Sequence, residues 1–265
     1  MQQLQKENYL GNTKNKFINN QGVSIIETEY RQKVSENWHS HENAHITLFL
    51  KGGTIEKRKN ELHAVSSGSI LFYHSDELHL NQETLFPSKN INIEFDQAFL
   101  RNFEITEETL RAATANAAKT KFLILKIHQE TLIRDSFSDD SISMLLSNFS
   151  ENKNYLDHFS KCPKWVKLLY ELLNDCWCEN RSLNDLSKIL DINPITISKY
   201  FPIYFGCTYG EYMRRLKVDK SISLMQQSSN SLTDISLECG FADQSHFIRT
   251  FKQQTGYLPK NFKKL

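Results

Sequence analysis

The chain has no long apolar run, few cysteines and almost no net charge. No stretch of its 265 residues approaches the roughly 18 apolar residues that a membrane-spanning helix needs, so we expect no membrane insertion. Its first residues also lack the pattern of a secretory signal peptide. The five cysteines are odd in number and fit no disulfide framework, which predicts reduced thiols and a cytoplasmic location.

Sequence motifs for catalysis are also missing. We find no nucleophile triad, no phosphate-binding loop and no paired carboxylates, so no catalytic residue is predicted. The net charge of +1 conceals a difference between the two parts of the chain. From Lys161 onward there are 15 Lys and Arg residues against 10 Asp and Glu, whereas the part before it has 17 against 21. A basic C-terminal part is typical of a nucleic-acid binder, although an ordinary solvated surface would give the same balance.

A repeat near the C-terminus is the most informative feature that is present. Residues 182–187 read Ser-Leu-Asn-Asp-Leu-Ser, and residues 231–236 read Ser-Leu-Thr-Asp-Ile-Ser. After one extra residue, the match continues from Ile197 to Gly206 in the first copy and from Phe247 to Gly256 in the second. Such self-similarity predicts one supersecondary unit used twice.

Each copy is predicted to be two helices joined by a tight turn. Ser182 and Ser231 stand at N-cap positions before short amphipathic runs, and Gly240 suits the left-handed position after a helix. Asn193 and Asp243 are placed to cap the second helix of each copy, and proline follows Asn193 in a first helical turn. The pattern indicates a helix-turn-helix, whose second helix can enter a DNA major groove.

Each second helix presents a polar and basic face opposite its apolar one. Apolar pairs four residues apart, Ile197 with Phe201 and Phe247 with Phe251, define the buried side. Arg249 is the best candidate for a base contact, because arginine can bond guanine in a bidentate manner. A helix from about 208 to 226 connects the copies and would span about 28 Å at ~1.5 Å per residue. The predicted DNA-binding residues are Ile195, Thr196, Ser198, Lys199, Arg214, Arg215, Gln244, Ser245, His246, Arg249 and Lys252.

Residues 182–263 resemble the C-terminal domain of AraC/XylS-type transcription regulators. The resemblance is carried by residues 240–252, Gly-Phe-Ala-Asp-Gln-Ser-His-Phe-Ile-Arg-Thr-Phe-Lys, and by residues 255–259, Thr-Gly-Tyr-Leu-Pro. It implies a seven-helix domain with two helix-turn-helices, binding to double-stranded DNA, contact with RNA polymerase and, more commonly, activation. Lys199 stands where the family usually has arginine. Pro202 replaces a usual basic residue and removes a backbone donor, so the first copy is expected to read DNA less tightly.

The N-terminal part predicts a small antiparallel barrel or sandwich followed by helices. Residues 1–20 are polar and are predicted to form a loose arm. Short β-like segments follow, punctuated by Gly52-Gly53 and by residues 66–68. These segments are residues 23–30, 44–50, 54–58, 62–65, 69–73 and 91–95. The predicted fold class is α+β in two domains: residues 1–150, a linker at 151–162, and an all-α DNA-binding domain at 163–265.

Two histidine-bearing stretches resemble degenerate cupin motifs. The first reads Trp38-His39-Ser40-His41-Glu42-Asn43-Ala44-His45, and the second runs from Gly68 through His74 to His79. Imidazoles at His39, His41, His45 and His79 would suit a divalent transition metal. Alternatively, the histidines are a relic of the fold without a metal. By the same resemblance this barrel is a sensor domain for an unknown small-molecule effector, and the candidate pocket residues are Trp38, Phe49, Phe72, Tyr73 and Phe86.

The helical segment from 97 to 151 occupies the position that carries the dimer contact in the resembled family. Leu145, Leu146 and Phe149 are therefore candidate interface residues of a homodimer, or alternatively they pack on their own barrel. The predicted function is sequence-specific DNA binding by a transcription regulator, most simply an activator. Two other functions stay open: a cupin-type metalloenzyme with an accessory helical domain, and an architectural DNA binder without a ligand.

Overall fold

The computed structural model describes residues 2–33, 36–149, 162–227 and 230–265. The chain divides into two compact units, Met1–Lys153 and Asn154–Leu265. Residues 150–161 lie outside the described residues, and they include all of the predicted linker except Cys162. Among the described residues, no helix combines the length and the apolar character that crossing a bilayer would require.

The first unit is built on a curled, mainly antiparallel sheet. Its strands are β1 Gln2–Leu4, β2 Asn12–Ile18, β3 Val23–Tyr30, β4 His39–His41, β5 Ala44–Arg58, β6 Leu62–Ser66, β7 Ile70–Tyr73 and β8 His79–Phe95. The long strand β8 is central, because it pairs with β3, β4 and β5. β5 also pairs with β6 and β7, and among the described strands β1 and β4 form the one parallel pair. Strands of 15 and 17 residues can pair with several partners along their length and so curl the sheet.

The sheet and the helices that follow it enclose one apolar core. Ile25, Ile46, Ile93 and Phe95 are at most 1% exposed on neighbouring strands. The helices are α1 Gln97–Asn102, α2 Glu107–Thr114, α3 Ala117–Ile133 and α4 Ser138–Ser147. Complete burial of such side chains contributes about 1.5–3 kcal/mol each to folding, so this packing is the main support of the sheet.

Two predictions for the first unit were wrong. The polar segment at 1–20 is not a loose arm, because Asn12–Ile18 forms β2 on the edge of β3 and Gln2–Leu4 forms β1 beside β4. Gly52-Gly53 does not separate two strands, because β5 runs through both residues. The register of β5 against β8 shifts around these glycines, so they mark bulges rather than a turn.

Of the three candidate dimer contact residues, Leu145 is half-buried and the other two pack on their own unit, which is the alternative that the sequence left open. Leu146 and Phe149 are at most 1% exposed, and the Phe149 ring lies edge-on to Phe95 at a centroid distance of 5.8 Å. Both side chains belong to the core of their own unit and are not available to a second copy. The most exposed large apolar side chains in this region are Phe137 and Met144, at 70% and 77% exposure.

The second unit is all α-helical in its described residues. Its helices are α5 Lys164–Asp175, α6 Leu183–Leu190, α7 Pro194–Phe205, α8 Tyr209–Gln227, α9 Leu232–Glu238, α10 Gln244–Thr255 and α11 Pro259–Phe262. The number of helices agrees with the seven that the family resemblance implied. α5 packs its apolar face, which includes Val166, Leu169 and Leu173, against Leu186 of α6 and Phe201 of α7.

Candidate functional site

The second helix-turn-helix consists of α9, a tight turn and α10. The Ser231 hydroxyl oxygen accepts a hydrogen bond from the Asp234 amide, and the Asp234 carboxylate accepts one from the Ser231 amide, both at 3.2 Å. This capping box satisfies two donors that a helix start would otherwise leave free. Gly240 follows with φ of +67°, and Asp243 then accepts a hydrogen bond from the His246 amide to begin α10. The predicted caps and turn of this copy are confirmed.

The first helix-turn-helix repeats the same devices on α6 and α7. Ser182 and Asp185 form a capping box at the start of α6. Asn193 caps α7 by accepting from the Ile195 amide at 2.9 Å, and Pro194 occupies the first turn. α7 continues through Pro202, whose nitrogen has no hydrogen to donate within the helix. The two copies are therefore alike at their caps. They differ in the last turn of the second helix of each copy, α7 or α10, which we call the reading helix.

We expect Ser182→Ala and Ser231→Ala each to lower the free energy of unfolding by about 1 kcal/mol, since each removes an N-cap. Urea unfolding of the full chain, followed by far-ultraviolet circular dichroism, measures the loss. Ser198→Ala is the matched control, because Ser198 is exposed within α7 and does not cap it. A loss in the control as large as that in the cap variants would contradict the capping role.

Each reading helix buries one face and exposes the other. Ile197, Phe201, Phe247 and Phe251 are all 0% exposed, which confirms the predicted buried faces. The predicted DNA-binding residues that lie fully on the surface are Ile195, Ser198, Lys199, Arg214, Ser245, Arg249 and Lys252. α7 and α10 thus present polar and basic side chains to solvent over their outer faces.

The other predicted contact residues are already engaged within the unit. Gln244 accepts a hydrogen bond from the Thr233 hydroxyl at 3.2 Å, and the His246 ring lies edge-on to Phe241. Arg215 forms an ion pair with Glu211 at 2.7 Å, one turn earlier on α8. Thr196 is half-buried. Within the described part of the chain, nothing pairs with the exposed Arg249 guanidinium, so it can reach a base without breaking an ion pair.

A polar junction, which the sequence did not reveal, joins the second helix-turn-helix to α8. Lys217 is 7% exposed, and its ammonium donates to the Asn180 side-chain oxygen at 2.5 Å and to the Gly240 carbonyl at 2.8 Å. Burial lowers the pKa of Lys217. The loop before α6 is also tied to α8, because the Tyr209 hydroxyl donates to the Arg181 carbonyl at 2.7 Å. Lys217 stands in a run of basic residues, so its sequence gave no sign that it points inward.

The sheet of the first unit gathers four histidines into a cluster. His39 and His41 are two residues apart on β4 and so lie on the same face of the sheet. His39 is paired directly with His79 at the start of β8. One nitrogen from each of these three rings lies within 4.8 Å of the others. His45 lies outside this trio, with its ring stacked on Tyr73 at a centroid distance of 4.4 Å. His45 also contacts the cluster, since its ring centroid lies 4.4 Å from that of His41.

Burial makes these imidazoles difficult to protonate. It lowers the pKa of His39 and of His79 to about 4 and that of His45 to about 3, and it lowers the pKa of His41 furthest. Neighbouring imidazoles add to the effect on His39, His41 and His45, because a second positive charge beside the first is unfavourable. All four rings are therefore neutral at neutral pH and retain a lone pair.

The histidines open onto a small cavity between the strands. Its polar lining is uncharged and carries hydroxyl and amide groups, supplied by Thr47, Thr54, Asn81, Thr84, Ser88, Asn90 and Asn92. The cavity volume that the centre of a water molecule can occupy is about 50 Å³. One water needs about 10–15 Å³ by this measure, so the cavity has room for a few waters or a small ion with its ligands.

Only part of the predicted pocket lines this cavity. Phe49 and Tyr73 lie in its wall, whereas Phe72, the neighbour of Tyr73 on β7, contacts His74 edge-on instead. Phe86 is 39% exposed, and Trp38 lines a separate surface depression. The sequence did not indicate Tyr9, whose ring lies 4.8 Å from that of His41 and lines the cavity. It was missed because Tyr9 lies in the segment that was predicted to be loose.

Comparison with known proteins supports the assignment of helix-turn-helix motifs to the second unit. Residues 186–265 match a family model described as a helix-turn-helix domain. The chain is 21% identical to the HTH-type transcriptional activator RhaR of Escherichia coli O139:H28, and the match covers 94% of each chain. RhaR of Shigella boydii serotype 4 matches to the same extent.

Solved structures that match the chain include ToxT from Vibrio cholerae, at 14% identity and a TM-score of 0.39 over 92% of this chain and 98% of that one. An AraC-type DNA-binding protein from Chromobacterium violaceum matches 38% of this chain and 89% of its own, at 23% identity and a TM-score of 0.36. The helix-turn-helix match and the end-to-end similarity to RhaR agree with the repeated, capped motif described above. Residues 186–265 therefore carry a helix-turn-helix domain, and the chain is similar over 94% of its length to the transcriptional activator RhaR.

Proposed function

We propose that this regulator binds double-stranded DNA by inserting α7 and α10 into consecutive major-groove segments. The observation that carries the proposal is the pair of capped reading helices with exposed polar and basic faces, joined by the 19-residue helix α8. At ~1.5 Å per residue α8 is about 28 Å long. Successive major-groove segments on one side of B-DNA are about 34 Å apart. A helix of this length can hold α7 and α10 at a comparable separation.

The contacts divide into those that read bases and those that hold phosphates. Arg249 is assigned to a base edge, with Gln244, Ser245 and His246 near the start of α10 beside it. In the first copy Ile195, Thr196, Ser198 and Lys199 take the corresponding positions. Arg214, Arg215 and Lys252 are assigned to phosphates, which fix the register of the protein without reading the sequence. Arg215 must leave or share its ion pair with Glu211 to do so.

Arg249→Ala is expected to weaken operator binding by about 1–3 kcal/mol and to relax the preference at one base position. Selection of bound sequences from a random DNA pool gives the operator and the half-site spacing, and titration with wild-type and variant protein gives the affinities. Lys260→Ala is the matched control, since it removes an exposed positive charge from α11, outside both reading helices. Unchanged affinity and base preference for Arg249→Ala would remove its assignment.

Lys252→Ala separates phosphate contact from base reading. We expect it to weaken binding to all sequences alike and to reduce the slope of log affinity against log salt by about 0.9, the value for one phosphate contact. The relative affinities for the selected sequences should stay the same. A changed base preference in this variant would instead assign Lys252 to base reading.

Activation of transcription in the cytoplasm, through contact with RNA polymerase, is the mode that we propose. The names of the relatives as transcriptional activators support activation.

We also propose a small-molecule effector that binds in the cavity of the first unit. The uncharged hydroxyl and amide lining favours a neutral, polar compound. Since about 50 Å³ admits only a few waters, a larger compound would require side chains of the lining to move. No catalytic role is proposed.

A homodimer is part of the proposal. Since Leu146 and Phe149 are buried in their own unit, contact between copies through this region would use the exposed Phe137 and Met144. Analytical ultracentrifugation of the full chain, with and without operator DNA, tests the dimer. A monomer that binds the full operator at the same affinity would remove the dimer from the proposal without affecting the assignment of the reading helices.

A further inference from the structure

We propose that α7 selects thymine in the major groove through Ile195, whose side chain contacts the methyl group of that base. This contact depends on the proposed insertion of α7 and α10 into DNA, and it adds the class of base that α7 prefers. Three observations support it: the chemistry of the outer face of α7, the contrast with α10, and the place of Ile195 in the first turn.

The outer face of α7 is largely apolar. It carries three apolar residues, one hydroxyl and one cation, all of them exposed: Ile195, Pro202, Ile203, Ser198 and Lys199. These positions lie within about 140° of one another around a helix of 3.6 residues per turn. Ile195 is 74% exposed, so most of its surface is open to a partner. Side-chain hydrogen bonds from this face can come only from Ser198 and Lys199.

The corresponding face of α10 is polar. The residues 50 positions later in the repeat are exposed as well, and they are Ser245, Arg249 and Lys252 in place of Ile195, Lys199 and Pro202. The Ser245 hydroxyl can both donate and accept, and arginine offers a planar set of donors. The two reading helices therefore occupy equivalent places in the repeat but can recognise different groups on a base edge.

The side chain of Ile195 can distinguish bases only by apolar contact, because it has no polar atom. In the major groove the thymine methyl is an apolar group, whereas guanine, adenine and cytosine present hydrogen-bond donors and acceptors there. If Ile195 covered one of those polar groups, it would displace water without replacing the hydrogen bond, which is unfavourable. Ile195 therefore favours a base pair that presents a thymine methyl.

Ile195 is placed and held for such a contact. It is the second residue of α7, in the part of a reading helix that contacts base edges. Its amide donates to the Asn193 side-chain oxygen at 2.9 Å, which fixes the backbone of the first turn. Isoleucine has one strongly preferred rotamer in a helix, so little side-chain freedom is lost on binding. Ile195 is thus an ordered apolar group on the outer face of α7.

The test replaces thymines in the selected operator, one at a time, with deoxyuridine, which lacks the methyl group and keeps the same hydrogen-bonding edge. The base position at which Arg249→Ala relaxes the preference marks the α10 half-site, and the other half-site belongs to α7. In titrations of the full chain, one such replacement in the α7 half-site should weaken binding about fourfold, the effect of exposing one apolar carbon. This measurement needs no variant of Ile195.

Two variants then assign the effect to a residue. Ile195→Ser gives α7 the residue type that α10 has at this position, and it should bind the thymine and deoxyuridine operators equally. Ile189→Ser is the matched control, because Ile189 is 52% exposed on α6, outside the reading helix. The control should keep the fourfold difference. A difference that persists in Ile195→Ser would assign the methyl contact to another residue and overturn the proposal.

The remaining outcomes separate this proposal from the proposed DNA binding. If deoxyuridine has no effect at any position of the α7 half-site, thymine selection by Ile195 is wrong and sequence-specific DNA binding stands. If the selection yields no preferred sequence, the proposed function fails and thymine selection fails with it. If Ile195→Ser keeps its operator affinity but loses activation of transcription, the outer face of α7 contacts a protein instead of a base.

Discussion

Replacing Gly240 with alanine is expected to lower the free energy of unfolding of the C-terminal unit by roughly 2–5 kcal/mol. Gly240 has φ of +67°, and an added Cβ would lie 2.1 Å from the Cys178 carbonyl oxygen and 3.1 Å from the Lys217 ammonium nitrogen. The left-handed backbone accounts for about 1–2 kcal/mol of the loss, and overpacking against a backbone atom adds about 1–3. The backbone of the second turn or of the loop before α6 must shift to relieve the contact.

Gly206→Ala is the matched control for this prediction. Gly206 ends α7 with φ of +70°, and a Cβ built there meets nothing within 4 Å. Its replacement therefore carries only the backbone cost of about 1–2 kcal/mol. Urea unfolding monitored by circular dichroism and tryptophan fluorescence measures both variants in the full chain. Equal losses at the two glycines would show that the approach of Cys178 to Gly240 does not constrain the turn.

The caps and buried faces of the C-terminal helices were predictable because local chemistry determines them. A serine followed three residues later by an acidic residue can form a capping box at a helix start, and Ser182 and Ser231 both do so. Phenylalanines four residues apart must lie on one helix face, which is why Phe247 and Phe251 are buried together. Each of these features depends on residues within a single turn or two of helix.

The N-terminal strands were harder to predict because their pairing is long-range. β2 reads Asn-Thr-Lys-Asn-Lys-Phe-Ile, which has no regular apolar alternation, and most of its side chains face solvent or are half-buried. Its backbone hydrogen bonds to β3 hold it in place, and the side chains give little sign of them. The same holds for the histidines: spacing showed that His39 and His41 share a face, but only the register of β4 against β8 brings His79 to them.

Lys217→Met is expected to lower the free energy of unfolding by about 2–4 kcal/mol, because hydrogen bonds to charged groups contribute about 1.5–3 kcal/mol each. Methionine keeps most of the aliphatic packing of the lysine stem but cannot donate to Asn180 or to the Gly240 carbonyl. Asn180 is exposed and can turn to water, whereas the carbonyl retains only its longer contact with the Asn180 amide, at 3.3 Å. The turn of the second helix-turn-helix would then be held less firmly to α8.

Lys220→Met distinguishes the junction from a general effect of removing charge. Lys220 is on the same helix and is half-buried, and no partner for its ammonium group is found among the described residues. Its replacement should change the unfolding free energy by about 0.5 kcal/mol or less. In DNA titrations, Lys217→Met should weaken contacts made by α10 more than those made by α7, since the lost bonds hold the turn before α10. Equal weakening of contacts in both half-sites would instead mean that Lys217 supports the unit as a whole and does not position the second reading helix.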